Sequence, residues 1–210
     1  QISFAESIGV EDRGGYYDHS GALKDMIQNH ALQVLSILAM DKPASFREAD
    51  VRAEKIKVFQ NLKQQTDEEI KRNFVRAQYS EGRIDGQHYI GYLDETNIAA
   101  NSQTETFAGA VFFVDTDRFR DVPFFFRTGK RLTEKGTRVT ITFKKAEDIF
   151  GQHSEQNILT IYIQPTEGFS LFINGKEVGS AFSLTPAKLS WRHSAAALGN
   201  SPEAYEKLFF

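Results

Sequence analysis

Hydrophobic positions recur with two different periods in the two halves of the chain. Between Ser20 and Met40 apolar residues fall at Leu23, Ile27, Val34, Ile37 and Leu38, a helical spacing that lays one stripe against a core. His30 falls on that stripe, between Ile27 and Val34. Ser20 is suited to cap this helix, since its hydroxyl can accept from the free N–H groups of the first turn, and Lys42-Pro43 ends it. Asp50 is placed to cap a second helix, Val51 to Leu62, with Val51, Ile56, Phe59 and Leu62 facing inward. Thr66, with Glu69 three residues later, forms a capping-box pattern that opens a short helix before the strand-like run Phe74 to Tyr79. Ser80 to Gln103 is glycine-rich, polar and nearly without period, which predicts a long surface connection.

Beyond Thr104 the period shortens. Phe107 to Asp115, Pro123 to Arg127, Arg138 to Lys144, Ile158 to Gln164, Phe169 to Ile173 and Ser180 to Trp191 are β-branched and aromatic runs separated by turn residues, the mark of strands. Ile2 to Ala5 adds a strand at the start. Asn174-Gly175 predicts a tight hairpin turn, because these residues tolerate the two positive φ angles of a type I′ turn. The connections are too short for parallel crossovers. The expected fold is therefore α+β, a large, mainly antiparallel sheet with helices packed on one face. Val111 to Val114 and Phe124 to Phe126 are apolar on successive residues and call for cover on both faces. Two good helices cover one face, so the other is expected to meet a second subunit or a further part of the chain.

Composition narrows the function. The 210 residues carry 25 basic and 28 acidic side chains, a net charge of −3, which gives no chain-wide electrostatic reason to expect nucleic acid or an anionic membrane as partner. No cysteine is present, so disulfides and thiolate metal sites are excluded. No apolar run approaches the roughly 20 residues of a membrane helix. The chain opens on Gln1-Ile2-Ser3 and closes on Leu208-Phe209-Phe210 with no start or stop signal. It is expected to be a piece of a longer protein.

The chemistry-bearing residues are few. An imidazole on an apolar stripe either satisfies one neighbour or serves as a base near neutral pH, and His30 alone does not decide between them. Asp25 precedes it by five residues, about 140° around an α-helix, too far to orient it directly, although both could touch one polar ligand. Glu6 ends the first strand. Gly129 to Lys135 is the densest basic turn of the β half, but it lacks the glycine and the following helix of a P-loop. The histidines are scattered without metal-ligand spacing, and no Gly-x-Gly-x-x-Gly turn links a strand to a helix.

Arg13-Gly14-Gly15-Tyr16-Tyr17-Asp18, Gly21, Asp25 to His30, Glu54 to Val58, Phe74 to Tyr79, Val122-Pro123-Phe124, Arg127 to Lys130 and Ile163-Gln164-Pro165 together resemble, in order and nearly end to end, the C-terminal domain of glucose-6-phosphate dehydrogenases. The resemblance implies that residues 1–210 are one substrate-binding and oligomerisation domain, separated from an amino-terminal Rossmann domain and an extreme C-terminus. It implies a cytoplasmic enzyme of the oxidative pentose phosphate pathway that oxidises D-glucose 6-phosphate to 6-phosphogluconolactone with NADP, or NAD in some bacterial members. His30 matches the family's proton acceptor. Glu6 and Asp25 match carboxylates that hold sugar hydroxyls, Lys130 and Lys135 match lysines of the substrate pocket, and Gln164 matches a position lining that pocket. The nucleotide is expected on the amino-terminal domain, with no cofactor residue here, and the partner is a second copy, in a homodimer or homotetramer formed through the sheet. A non-enzymatic assembly module is the alternative. Such a module has no use for Glu6, Asp25, His30, Lys130 and Lys135 converging.

Overall fold

Strand β1, Ile2–Ala5, is buried along its whole length. It lies parallel to β6, Phe124–Gly129, with Ile2 opposite Phe126 and Ala5 opposite Gly129. A parallel neighbour is not what the short connections of the β half predict. The reason is that these two partners are separated by all the helices of the described residues and four intervening strands, so no short turn dictates their relative direction. The computed structural model describes residues 1–145, 154–179 and 183–193, and the chain divides into two compact units, Gln1–Thr137 and Arg138–Phe210.

In the first unit β5, Phe107–Phe112, runs antiparallel to both β6 and β2, Phe74–Ala77, giving the order β1-β6-β5-β2. Ile2, Phe4, Ala108, Ala110, Phe126 and Thr128 are all buried and share one face by register. On the alternate positions Phe125 and Val75 stay 49% and 56% exposed. Helix α1, Gly14–Ala22, leads into a π-helix, Leu23–Ala31, and then into α2, Leu32–Ala39. The π-helix packs on β1 and β6, and α4, Asp67–Asn73, on β2 and β5. Thr66 forms the expected capping box with Glu69.

Helix α3 spans Glu48–Gln60, and its N-cap is Arg47. Asp50 sits in its first turn instead, where it accepts hydrogen bonds from Ser45 and Arg47. The inward stripe expected here is also displaced: Val58 is buried, whereas Ile56 is 45% exposed. The connection after β2 is more ordered than its composition suggests. It holds a hairpin of β3, Gly82–Ile84, and β4, Gln87–Tyr89, turned at Asp85-Gly86 with φ of 50° and 82°, as a type I′ turn requires. Strands of three residues are too short to show a period. Tyr92 is fully buried behind this hairpin, with the rings of Tyr17 and Tyr79 edge-on at 6.3 and 5.8 Å.

The second unit, from Arg138 on, holds most of β7, Gly136–Thr142, then β8, Ile158–Gln164, β9, Gly168–Lys176, and β10, Leu184–Arg192, in that order, with β8-β9 and β9-β10 antiparallel. The whole chain is α+β with mainly antiparallel pairing. Asn174-Gly175 does not turn: β9 runs straight through it, with Asn174 opposite Pro186 and Gly175 opposite Thr185. The Asn174 amide is committed elsewhere. It donates to the Glu155 carbonyl at 2.7 Å and accepts from the Glu155 N–H at 3.1 Å, so pairing outside the dipeptide overrides its turn preference. The chain reverses beyond Lys176, where the Glu177 N–H donates to the Ser183 carbonyl. Residues 180–182, part of the expected last strand, lie outside the described residues. Among the described residues no helix is long and apolar enough to cross a membrane.

Candidate functional site

The site is organised by a break in the first helical stretch. Gly21 has φ 68° and ψ 171°, so α1 cannot run on as a regular helix. A new helical start follows immediately, and its first free N–H groups need acceptors. Ser20 does not supply one. The Leu23 N–H donates to Glu105 Oε1 at 2.9 Å and the Ala22 N–H to the Glu105 carbonyl at 3.0 Å, so a residue far along the chain caps the helix in place of the local serine.

From Leu23 to Ala31 the helix is π, and the Leu32 N–H closes back on the Ile27 carbonyl, five residues earlier. This changes which side chains share a face. In an α-helix Asp25 and His30 would diverge, but i→i+5 closure sets residues five apart nearly one above the other. Asp25 and His30 therefore lie on one side of the π-helix. The buried stripe is Ile27, Ala31, Leu35 and Ala39, and His30 is exposed rather than on the stripe. Ile37, an expected stripe position, is 56% exposed. Neither Asp25 nor His30 has a hydrogen-bond or ion-pair partner among the described residues.

Glu6 follows β1 and Lys130 follows β6, so the parallel pairing of these strands brings the two together. Lys130 Nζ lies 2.9 Å from Glu6 Oε2, with the lysine side chain 9% and the glutamate 31% exposed. The main chain fixes both: the Glu6 N–H donates to the Gly129 carbonyl and the Leu132 N–H to the Glu6 carbonyl, at 3.0 and 2.9 Å. The Lys130 ammonium also sits 5.2 Å from the centre of the Tyr17 ring. Burial raises the pKa of the Tyr17 phenol, and the neighbouring charges of Asp25, Glu6 and Glu105 raise it further. Tyr17 thus stands among the acids of both the helix and the strand end, and is a polar residue of the site to which residue spacing alone gave no role. Its signal was the Arg13 to Asp18 motif.

Lys135 is exposed in the same turn as Lys130, and Glu134 beside it pairs with Arg127 at 3.2 Å. Gln164 belongs to the second unit, exposed at the end of β8. The next residue after Lys130, Arg131, has φ 54°. Its guanidinium lies within 3.5 Å of Glu95 and Glu11 and 4.4 Å from the Tyr89 ring centre.

The family profile described as glucose-6-phosphate dehydrogenase, C-terminal domain, matches residues 1–210. The chain belongs to this family. It is 64% identical over 210 residues to the glucose-6-phosphate 1-dehydrogenase of Streptococcus pneumoniae serotype 4, a match covering 100% of the chain and 42% of that relative. The Bacillus subtilis glucose-6-phosphate 1-dehydrogenase is 43% identical over 215 residues, covering 99% of the chain and 43% of that protein. Among solved structures, a glucose-6-phosphate dehydrogenase in complex with its substrate glucose-6-phosphate superposes with a TM-score of 0.86 at 35% identity, over 100% of this chain and 42% of that one. The Mycobacterium avium glucose-6-phosphate 1-dehydrogenase gives a TM-score of 0.74 at 30% identity, over 90% of this chain and 40% of its own. The chain thus spans 42% and 43% of the length of the first two relatives.

Proposed function

We propose that this chain is the substrate-binding domain of a glucose-6-phosphate dehydrogenase, which oxidises D-glucose 6-phosphate to 6-phosphogluconolactone. His30 is the general base that takes the proton of the C1 hydroxyl as hydride leaves C1. Asp25 and Glu6 accept hydrogen bonds from sugar hydroxyls, and Lys130 and Lys135 supply cations to the phosphorylated sugar. The observation that carries this reading is the π-helix, which sets Asp25 and His30 on one side of the helix, both without a hydrogen-bond or ion-pair partner among the described residues. An imidazole without a protein partner, on the same side of a helix as a carboxylate, suits proton transfer from a bound alcohol, and a lysine already neutralised by Glu6 can exchange that partner for an anion.

The hydride acceptor, NADP or NAD, does not fit the turn after β1, where among the described residues a parallel strand leads to a helix. A Cβ on Gly9 would lie 2.8 Å from the Arg131 guanidinium and from Glu95, and one on Gly14 would collide with the Thr96 carbonyl. Protein atoms already fill the space that a pyrophosphate needs beside such glycines. The nucleotide is therefore assigned to the remainder of the enzyme; the enzyme is assigned to the cytoplasm on its family likeness alone. Phe169, Leu189 and Trp191, which are 42%, 53% and 47% exposed, share one sheet face by register and support a homodimer or homotetramer formed through the strands. Sedimentation of the full-length enzyme as a monomer at micromolar concentration would refute that assembly.

His30→Asn in the full-length enzyme tests the base. Asparagine keeps hydrogen-bonding reach without the basic nitrogen, so kcat should fall about 10²–10⁴-fold with KM for glucose 6-phosphate little changed. Since His30 is exposed, the melting temperature should barely move. A kcat within about threefold of the parent removes His30 from the chemistry.

A further inference from the structure

We infer that Glu105 is a positioning residue for this site, a buried carboxylate that sets the start of the π-helix and, with Thr106, fixes that helix relative to Lys130. The inference rests on the proposed roles of Asp25, His30 and Lys130. Glu105 is 7% exposed and Thr106 fully buried, an unusual place for an acid on a strand-like approach to β5. Its two carboxylate oxygens are divided: Oε1 accepts from the Leu23 N–H at 2.9 Å, and Oε2 faces Arg76 at 3.7 Å. Its carbonyl accepts from the Ala22 N–H at 3.0 Å and from the Tyr17 hydroxyl at 3.4 Å. One residue later, the Thr106 carbonyl accepts from the Lys130 N–H at 3.0 Å, and its hydroxyl accepts from the Tyr79 N–H at 2.9 Å. Two consecutive residues therefore hold the helix that bears the base and the turn that bears the cation.

Gly21 belongs to the same device. Its φ of +68° starts the new helix, and a Cβ there would stand 2.6 Å from Glu105 Oε1. The glycine thus gives the carboxylate its approach to Leu23 as well as the backbone its bend. A π-helix is rare and poorly competitive with α-helix, so its register needs an anchor. With Leu23 pinned by a carboxylate that also suits the positive end of the helix dipole, the directions of Asp25 and His30 are set. Released, the segment can relax to α geometry, in which residues five apart diverge by about 140°, and the base leaves the side of the helix that Asp25 occupies.

The test uses the full-length enzyme with Glu105→Ala, which removes the cap, and Glu105→Gln, which keeps an oxygen for the Leu23 N–H but not the charge. Glu105→Ala should lower kcat/KM for glucose 6-phosphate at least about fivefold, the factor to which the roughly 1 kcal/mol held by a helix cap converts if all of it positions the base, with KM for the nucleotide unchanged. Glu105→Gln should recover to within about twofold, and amide exchange at Leu23 should accelerate in the alanine variant alone. Loss of activity to the same depth in both variants would overturn the inference, since the charge opposite Arg76 would then be what matters. So would an alanine variant with parental kcat/KM and a protected Leu23 amide. If Glu105→Ala does not fold, Gly21→Ala, whose methyl group displaces the carboxylate, is read by the same two measurements. Exchange at Leu23 does not depend on what His30 does: an active His30→Asn enzyme refutes the base, and an unchanged Leu23 amide refutes the anchor.

Discussion

Asp18 offers the sharpest test of how the long connection after β2 is fastened to α1. Its carboxylate accepts from the Tyr92 hydroxyl at 2.7 Å, from the Ser102 hydroxyl, and from the Ala99 N–H at 3.5 Å. Tyr92 is 0% and Ser102 8% exposed, so Asp18→Ala leaves two buried hydroxyls without their acceptor. Two wholly dry orphans would lose about 4 kcal/mol. Asp18 is itself half-exposed, and water entering the vacated space recovers part of this, which brings the expected loss to about 2 kcal/mol. Asp18→Asn keeps one acceptor and should lose about 1 kcal/mol. Equilibrium urea unfolding of the chain, followed by far-ultraviolet circular dichroism, measures both, with the slope unchanged. The effect has a pH signature. Burial raises the Asp18 pKa, but the hydrogen bonds from Ser102 and Tyr92 outweigh it and hold the carboxyl below its ordinary value. A depressed folded-state pKa contributes stability in full above the unfolded value of about 3.9 and loses it as pH falls through the folded value. The gap between parent and Asp18→Ala should therefore be constant near neutrality and narrow only below about pH 4. A loss under about 0.5 kcal/mol, or a gap that does not narrow in acid, would refute the role assigned to these hydrogen bonds.

Lys130→Ala and Lys135→Ala in the full-length enzyme should raise KM for glucose 6-phosphate by about 10-fold or more, as expected for a lost charged hydrogen bond made in the ground state, with kcat less affected; steady-state kinetics check this. Arg131→Met should destabilise the chain by about 3 kcal/mol in urea unfolding, because it leaves Glu95 buried without its cation; Glu95 is 11% exposed in the side chain. Adding Glu95→Gln to that variant should restore part of the loss.

The elements were legible where local chemistry and tertiary packing agree. Thr66 and Glu69 satisfy one another within four residues, so the start of α4 is visible in the sequence. The β half shows its strands because β-branched and aromatic runs coincide with the ladders from β5 to β10. Two of the misreadings share a cause, which is that a distant partner outcompeted a local one. Asn174 is taken by the Glu155 backbone, and Glu105 replaces Ser20 as the cap. Neither contact lies within a short window of sequence. Asp50 differs: it gives up the cap to near neighbours, Ser45 and Arg47, which compete for the same carboxylate.

For the site, the residue types were readable from the motif, but their arrangement was not. Periodicity analysis assumes 3.6 residues per turn, and on that assumption His30 joins the apolar stripe and Asp25 turns away from it. The π-helix reverses both conclusions at once: the stripe moves to Ile27, Ala31 and Leu35, His30 comes out to solvent, and the five-residue interval to Asp25 becomes one turn. The sequence does hold a trace of this in Gly21, whose positive φ admits the break. It holds another in the unexplained acid Glu105, set among residues otherwise destined for the core. An acid that no local cap requires, placed at the edge of a buried strand, signals a helix start elsewhere in the fold that lacks its own acceptor. Glycine and acid together identify the joint, because a side chain at one would exclude the carboxylate of the other.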